Sequence, residues 1–406
     1  MKKRSLFFIL ILSLLIVGIS CQDYSTSIDP LIDRVEDDRL ADESQIQFVI
    51  NGVMTRFATT HDQLMVIACL LSDGMFFDVN VPNATYPTFS DIDLGLITLD
   101  NNSVDGPFNN LGELRFFADD MIRRVGEIDF GNAALRDEAL FWGNFFGGVA
   151  RYLYATYFGL NENEGGGVIS TPEEPGSFIP SADMYDLAIG KFQAALTYTD
   201  DAYLTRVINS LIARIYLFEG DYLTAATFAA NGLVQGDASF QSLHSVQSDN
   251  FFWQQAGAGR TQCVVDWRFQ DYIDADPNEA NRIPIDHIMG NNAVLYDRQG
   301  KYMTPSAPIN FISWQEISLM LAECYLNGVA GDADAAINAV RASWGIDPLA
   351  APADLATLKV ERDKELCWTG IRMVDQRRWG DWHLAADTWH YFPITERERN
   401  INPNID

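Results

Sequence analysis

The residues that most often carry enzyme chemistry form no recognisable motif in this sequence. The histidines, at positions 61, 244, 287, 383 and 390, match neither the H-E-x-x-H pattern nor another metal-ligand spacing. A G-x-S-x-G nucleophile turn, a P-loop and a G-x-G-x-x-G loop are also absent from the sequence. Because the chain has 56 acidic residues, two carboxylates will approach by chance, and the sequence identifies no glycosidase-like pair. We therefore predict that the protein is not an enzyme and has no cofactor.

One acidic segment resembles the start of a calcium-binding loop. Asp274, Asp276 and Asn278 have the spacing of its first three ligands. The sixth position of that pattern is Glu279 instead of Gly, and the twelfth is Ile285 instead of Glu. We predict no metal site there.

Aromatic and amide side chains concentrate in two segments that lack helical periodicity. Residues 74–112 and 236–310 are rich in Gly, Pro and Asp as well as in aromatic residues. Long insertions of this kind in a helical scaffold are where binding function tends to be located. The candidates for contact with a ligand are ten of their residues: Phe76, Phe77, Asn80, Asn83, Tyr86, Trp253, Trp267, Tyr272, Tyr296 and Tyr302.

The rest of the chain, from about residue 45, has the pattern of paired amphipathic helices. Apolar residues recur at helical spacing over 208–215, and a Glu-Gly-Asp turn at 219–221 ends that helix before a second one at 222–233. Ala213 and Tyr216 have the spacing of small and aromatic residues in tetratricopeptide-like hairpins, in which the Tyr fills the gap between two close helices.

Two further pairs repeat this layout. Residues 317–324 and 333–340 form the second pair, and 141–152 with 185–196 form a weaker third pair. The connector of the third pair, residues 160–180, is rich in Gly and Pro and is predicted to be a loop. The sequence thus predicts a mainly α fold built from helical hairpins.

The composition limits the class of partner. The chain of 406 residues has 28 basic and 56 acidic residues, which gives a net charge of −28. A polyanion would be repelled, so we predict no nucleic-acid partner. Hydrophobic residues make up 48% of the chain and charged residues 21%, a balance that supports a large buried core.

The first twenty residues resemble a bacterial lipoprotein signal peptide. Three basic residues at 2–4 precede an apolar run at 6–19 that is too short to span a bilayer comfortably. Cys21 then stands where a lipobox has its lipidated cysteine. We predict a signal peptide at 1–20 and a lipid anchor on Cys21.

An acidic segment follows the predicted anchor. Residues 21–44 have the composition of a flexible tether, and an acidic stretch at this place also resembles the surface-export signal of Bacteroidetes-type lipoproteins. Residues 45–406 would then form a single helical domain with loop-rich insertions at 74–112 and 236–310.

Four other cysteines show no C-x-x-C spacing and are predicted to be small core residues: Cys69, Cys263, Cys324 and Cys367. An exported location also permits a disulfide bond between Cys324 and Cys367.

The C-terminal third of the chain resembles the signature of the SusD/RagB family of outer-membrane nutrient-binding lipoproteins. The matching segments are VERDKE at 360–365, GIR at 370–372, DQRRWG at 375–380 and YFPI at 391–394, followed by Glu396 and by Asn402 and Pro403. The helix pair at 316–341 matches a further family pattern through LMLAE at 319–323 and AAINAVR at 335–341.

This resemblance implies a SusD-like fold, with tetratricopeptide-like hairpins in a right-handed superhelical scaffold beside a loop-rich, aromatic-containing region. It also implies a lipid-anchored protein on the outer face of the outer membrane. Such a protein captures oligosaccharides and delivers them to a SusC-like TonB-dependent transporter, with the hairpins as the docking face. The aromatic candidates would stack on the C–H faces of sugar rings, while amides bind the hydroxyls.

The charges of this signature have a structural interpretation. They alternate in sign on a helix and the turn after it, as charge-assisted hydrogen bonds between segments would require. We predict that they lock the C-terminal segment onto the helical array and do not form the binding site. The residues concerned are Glu361, Arg362, Glu365, Arg372, Asp375, Arg377 and Arg378.

Two other functions stay open. The cargo could be a peptide or another non-glycan nutrient, and a strongly acidic protein favours neutral or cationic ligands over acidic polysaccharides. Alternatively, a lipid-anchored array of helical hairpins could be an envelope scaffold that binds protein segments. The aromatic loops favour nutrient binding, whereas the hairpins alone would suit a scaffold.

Overall fold

The computed structural model describes residues 40–171 and 173–405. The predicted signal peptide, Cys21 and most of the predicted tether lie outside these residues. Glu43 belongs to a single turn of 3-10 helix, and its carboxylate accepts hydrogen bonds from the backbone N–H groups of Gly131 and Asn132, both at 2.8 Å. The chain is therefore fixed to the helical body from about this point.

The described residues form fourteen α-helices and ten short strands. The helices are α1 (Ile46–Leu71), α2 (Pro87–Asp93), α3 (Asn102–Glu127), α4 (Ala133–Tyr157), α5 (Ser181–Leu196), α6 (Ala202–Phe218), α7 (Tyr222–Ala229), α8 (Phe251–Ala256), α9 (Arg268–Ala275), α10 (Trp314–Leu326), α11 (Ala333–Ser343), α12 (Leu355–Glu365), α13 (Ile371–Trp379) and α14 (Glu396–Ile401). A mainly α fold is confirmed. Among these helices, none is both long enough and apolar enough to cross a membrane.

The strands form five two-stranded sheets. Four of them are antiparallel: β1 (Met75–Phe76) with β6 (Val264–Val265), β3 (Gly166–Val168) with β4 (Phe178–Pro180), β5 (Phe240–Ser242) with β9 (Ile309–Ile312), and β7 (Ile285–Met289) with β8 (Leu295–Gln299). The fifth is parallel and pairs β2 (Phe158–Gly159) with β10 (Phe392–Pro393).

The predicted helix pairs are confirmed as α6 with α7, α10 with α11, and α4 with α5. Each helix of the first two pairs has an N-terminal capping residue whose side chain accepts a first-turn N–H group. These residues are Asp201, Asp221, Ser313 and Asp332. Tyr216 on α6 stacks on Phe228 of α7 with ring centroids 5.7 Å apart. The Tyr therefore fills the gap between two close helices, as the tetratricopeptide-like pattern predicts.

The main core lies where α1, α3 and α4 pack together and meet the later helices. Phe57 on α1 contacts Phe146 on α4 and Phe311 on β9, both with centroids 5.1 Å apart. The four cysteines predicted as core residues are buried and free, which confirms their packing role. The permitted disulfide between Cys324 and Cys367 does not form.

The prediction of irregular structure is wrong for residues 102–112, which belong to α3. Asn101 begins this helix, because its side chain accepts the N–H of Ser103 at 3.0 Å. Pro107 removes one hydrogen bond within the helix, but Phe108 and Leu111 are buried in the core. Apolar packing thus outweighs the local signal of Pro, Gly and Asn.

Short regular elements also interrupt the other predicted loops. The connector 160–180 contains the β3–β4 hairpin, and the segment 236–310 contains α8 and α9 as well as the β7–β8 hairpin. Elements of two to eight residues are too short for their periodicity to be visible in the sequence.

Oppositely charged side chains of the C-terminal signature bind one another in the interior. Arg362 is buried and donates to both carboxylate oxygens of Asp375, at 2.9 and 3.1 Å. Arg378 donates to Asp375 at 2.8 Å and to the buried Glu323 on α10. Burial acts to raise the pKa of Asp375, but the two guanidinium groups hold it below its usual value. The predicted structural role of the signature is confirmed.

A buried chain of polar side chains joins α1 to the segment before α8. The Ser242 hydroxyl lies 2.9 Å from His61 Nδ1 and 3.3 Å from His244 Nε2, and His244 Nδ1 lies 3.5 Å from an Asp62 oxygen. Burial lowers the pKa of His61 to about 3 and that of His244 to about 4, and it raises the pKa of Asp62. Both histidines are therefore neutral in the folded protein near neutral pH.

We expect this burial to make stability depend on pH through His61. An unfolded histidine binds a proton below pH 6.5, whereas folded His61 does so only near pH 3, so acidification through this interval favours unfolding. The free energy of unfolding should therefore fall more steeply between about pH 6.5 and 4 in the wild type than in a His61→Gln variant. Urea unfolding at several pH values measures both slopes. Asp62 has the opposite effect on the pH dependence of stability, and it does so in both proteins. The difference between the two slopes therefore isolates His61, and parallel stability profiles would contradict this assignment.

Candidate ligand-binding site

Three aromatic rings from the two predicted insertions form one cluster. The centroid of the Trp267 ring lies 5.6 Å from that of Phe76 and 5.5 Å from that of Tyr296, and the last two are 6.3 Å apart. Trp267 is 42% exposed, Phe76 is half-buried and Tyr296 is buried behind them. We call these three residues the aromatic platform.

Strand pairing places the first two rings side by side. In the β1–β6 sheet, Met75 pairs with Val265 and Phe76 with Val264. Met75 is buried, so the alternation of side chains along β1 turns Phe76 toward the surface. Trp267 lies two residues after β6, at the start of α9, and is thereby brought beside Phe76.

The residue after Trp267 is held firmly. Arg268 donates to both carboxylate oxygens of Asp363 on α12, at 2.9 and 3.0 Å, and to Asp73 at 2.9 Å. Asp73 precedes β1, has a φ of +60°, and also accepts from Arg372 and Gln376 on α13. One charge network therefore fixes the backbone on both sides of the platform to the C-terminal signature.

The third ring is fixed by hydrogen bonds at its hydroxyl group. Tyr296 on β8 donates to Asp78 at 2.8 Å and accepts from the side chain of Asn292 at 2.9 Å. Burial, followed by the bond to Asp78, raises the pKa of Tyr296. Although burial opposes ionisation of Asp78, hydrogen bonds from Asn80 and Tyr296 hold the pKa of its carboxyl below the usual value. Asp78 is therefore a charged acceptor beside the rings.

Amide groups line the same edge of the platform. The Asn80 side chain donates to Asp78 at 2.8 Å, and its backbone carbonyl accepts the N–H of Asn291 at 2.7 Å. Asn291 and Asn292 are exposed at the turn of the β7–β8 hairpin. A half-exposed ring beside carboxylate and amide groups can stack on an apolar face of a ligand while binding its hydroxyl groups.

Tyr86 lies in a second feature, a cleft of about 550 Å³ that shares no lining residue with the platform. Polar side chains of Gln63, Gln254 and Asn102 line it beside Phe251. Arg260 covers one face of the Tyr86 ring at 4.8 Å from its centroid and donates to its hydroxyl at 2.9 Å. Tyr86 is therefore engaged by a neighbouring cation in this structure.

The remaining aromatic candidates lie apart from the platform. Phe77 packs against the main core, and Trp253 is half-buried on α8. Tyr272 on α9 donates its hydroxyl to Asp363 at 3.0 Å. Tyr302 is buried against Phe252 with ring centroids 4.9 Å apart, and it lines a separate cavity instead of the platform.

Two of the ten candidates are amides, and they differ in position. Asn80 borders the platform through Asp78, whereas Asn83 is exposed in the loop that follows. Sequence reasoning missed Asp78 and Asn292. Asp78 comes two residues after Phe76, and Asn292 belongs to a Gly-Asn-Asn turn between two strands, which is a hairpin signal.

The incomplete calcium-loop pattern has a local structural role. Asp276 ends α9 and caps a 3-10 turn by accepting the N–H of Asn278 at 3.0 Å. Within residues 40–171 and 173–405, no group of three or more His, Cys, Asp or Glu side chains is arranged to hold a metal ion.

Comparisons with known proteins identify the fold. No family model matches the chain, and no curated protein is similar enough to match it. Solved structures do match. A SusD superfamily protein from Bacteroides thetaiotaomicron superposes with a TM-score of 0.72 at 16% identity and covers 90% of this chain and 99% of its own. A laminarin-binding SusD-like protein gives a TM-score of 0.71 at 13% identity, with 90% and 98% covered.

A third solved structure, of a protein with a xylogluco-oligosaccharide, gives a TM-score of 0.66 at 12% identity and covers 84% of this chain and 83% of its own. At these identities the likeness establishes architecture. The chain has the SusD-like fold that the sequence motifs predict.

Proposed function

We propose that this chain with the SusD-like fold is a cell-surface, lipid-anchored protein that binds neutral oligosaccharides and delivers them to a SusC-like TonB-dependent outer-membrane transporter. The observation that carries the proposal is the aromatic platform, in which the exposed Trp267 ring lies beside the carboxylate and amide groups at Asp78. Sugar rings have apolar C–H faces and hydroxyl edges, and this surface matches both.

Charge supports a neutral ligand. The pKa of Asp78 is held below its usual value, so its carboxylate is ionised near neutral pH and would repel a uronate or sulfate group. The same carboxylate accepts hydrogen bonds from hydroxyl groups without such a penalty. The fold likeness to a laminarin-binding SusD-like protein and to a protein solved with a xylogluco-oligosaccharide agrees with this ligand class.

A binding screen tests the ligand. Purified protein that begins after Cys21 would be titrated with laminarin- and xyloglucan-derived oligosaccharides and, as a charged comparison, with an oligouronate. We expect saturable binding of a neutral oligosaccharide and at least tenfold weaker binding of the oligouronate. Tighter binding of the oligouronate that is lost in a Trp267→Ala variant would contradict the proposal, and peptide binding in place of glycan binding would move the cargo to another class.

The anchor and the transporter require a separate experiment. The full chain would be purified in mild detergent from an outer membrane that contains its partners, together with a Cys21→Ser variant. We expect a large β-barrel transporter to purify with the wild type, and the variant to leave the membrane fraction because it lacks the lipid chains. Other envelope proteins in place of a barrel would favour the scaffold function.

A further inference from the structure

Another cavity, of about 480 Å³, lies where the base of the β7–β8 hairpin meets α10, α11 and α12. It is distinct from the cleft at Tyr86 and shares no lining residue with the aromatic platform. This volume is within the range of small-molecule sites. Its walls are mostly polar: Gln241, Arg282, Lys301, Asn310, Gln315, Trp344 and Glu365 are among the lining residues.

One wall is the N-terminus of α10. Ser313, Gln315 and Glu316 line the cavity, and the Ser313 hydroxyl accepts the N–H of Glu316 at 3.2 Å. The first N–H groups of a helix have no partner within it, and the helix dipole is positive at this end. Glu316 does not neutralise the site, because its carboxylate binds the buried Arg214 at 2.6 Å. This end of α10 therefore favours an anion.

A buried guanidinium group supplies an independent indication. Arg282 is 1% exposed, and its Nε and Nη2 atoms donate to Glu279 and Glu361 at 2.6 to 3.0 Å. Its Nη1 atom has no hydrogen-bond partner among the described residues, and the nearest carboxylate, of Glu365, is 3.8 Å away. A buried donor without an acceptor is unfavourable, and the Arg282 side chain is inaccessible, so an anion in the cavity would stabilise this guanidinium group through its charge.

Lys301 adds a positive charge to the same cavity. Its ammonium group donates to the backbone carbonyls of Glu365 at 3.4 Å and Cys367 at 3.2 Å, and no carboxylate of the described residues forms an ion pair with it. The ion-pair cluster around Arg282 and this lysine together contain four cations and three carboxylates: Arg282, Lys301, Arg341 and Lys364 against Glu279, Glu361 and Glu365. One positive charge is in excess, in a chain whose net charge is −28.

The remaining lining groups suit hydroxyl groups. The amides of Gln241 and Asn310 bind each other at 2.8 Å across β5 and β9, and Gln315 lies on α10 beside them in the lining. Trp344 donates its indole N–H to Glu365 at 2.8 Å. Burial raises the pKa of Glu365, although the charges of Lys301 and Arg282 act in the opposite direction.

We propose that this cavity binds a single sugar acid, whose carboxylate meets Lys301 and the first turn of α10 near the buried charge of Arg282, and whose hydroxyl groups meet the amides. The site is separate from the aromatic platform and does not depend on the function proposed for it. A neutral sugar would leave the excess positive charge uncompensated.

Titration calorimetry with glucuronate and glucose tests this site. We expect glucuronate to bind and glucose to bind at least tenfold more weakly. Gln315→Glu places a carboxylate in the first turn of α10, where it favours the helix, so the fold should persist while glucuronate binding falls at least tenfold. Gln47→Glu is the matched control, because Gln47 has the same position in the exposed first turn of α1.

Lys301→Gln provides a second variant, with at least a tenfold loss of glucuronate affinity expected. If thermal unfolding shows that the Gln315→Glu variant does not fold, the affinity of the Lys301→Gln variant tests the proposal in its place. Equal affinity for glucose and glucuronate, no binding of glucuronate, or unchanged affinity in the folded variants would overturn the proposal. A Trp267→Ala variant should bind glucuronate normally, which separates this site from the platform.

Discussion

Replacing Trp267 with Ala is expected to weaken binding of a neutral oligosaccharide by about 10- to 100-fold, which corresponds to about 1–3 kcal/mol. Trp267 is the exposed member of the aromatic platform, and its ring is the largest apolar surface that a sugar could cover there. Its backbone is fixed through Arg268 to Asp363 and Asp73, so little order has to be gained when the ligand binds. The affinity of the tightest oligosaccharide from the screen, measured by calorimetry, tests this expectation.

Phe117→Ala is a matched control for this experiment. Phe117 is a 37% exposed aromatic residue on α3, outside the platform and outside the cleft at Tyr86. Its removal should leave the affinity unchanged. Tyr296→Phe keeps the ring behind Trp267 but removes the hydrogen bonds to Asp78 and Asn292, so we expect a smaller loss than for Trp267→Ala. Equal affinity of wild type and Trp267→Ala would remove the platform from the binding site.

The helical scaffold was predictable because its signal is repeated many times along the chain. Each hairpin contains several apolar residues at helical spacing, a turn and small residues at the contact, so a single ambiguous position does not change the interpretation. The end of α3 nearest to Asn101 shows the opposite case. There the composition of a short window indicated a loop, whereas the Asn101 cap and the burial of Phe108 and Leu111 together explain the helix.

The candidate site was predictable only as two regions of the chain. Phe76, Trp267 and Tyr296 belong to those regions, but β1 and β6 have two residues each and carry no periodic pattern. Which aromatic residue faces outward depends on their pairing, which joins positions about 190 residues apart along the chain. For the same reason the sequence did not show that Tyr302 lies in the interior.

Replacing Arg214 with Met is expected to lower the free energy of unfolding by about 3–5 kcal/mol. Arg214 lies among mostly apolar residues on the buried face of α6 and is 1% exposed. It donates to both oxygens of Glu316 on α10, at 2.7 and 2.6 Å, and to the carbonyl of Phe311 at 2.6 Å. The variant would leave the carboxylate of Glu316 buried without a cation, which costs more than the pair itself contributes.

Two further variants separate this cost from the value of the ion pair. A double variant, Arg214→Met with Glu316→Leu, removes both charges and should recover most of the lost stability, because a well-packed apolar pair can replace a buried ion pair. Arg123→Ala removes a 53% exposed arginine that pairs with Asp120 and Glu127 on its own helix, and we expect a change below about 1 kcal/mol. Chemical denaturation of all three proteins gives the comparison. If Arg214→Met were no less stable than Arg123→Ala, the pair would not hold α6 against α10, and the cohesion of the scaffold would have to be assigned to apolar packing alone.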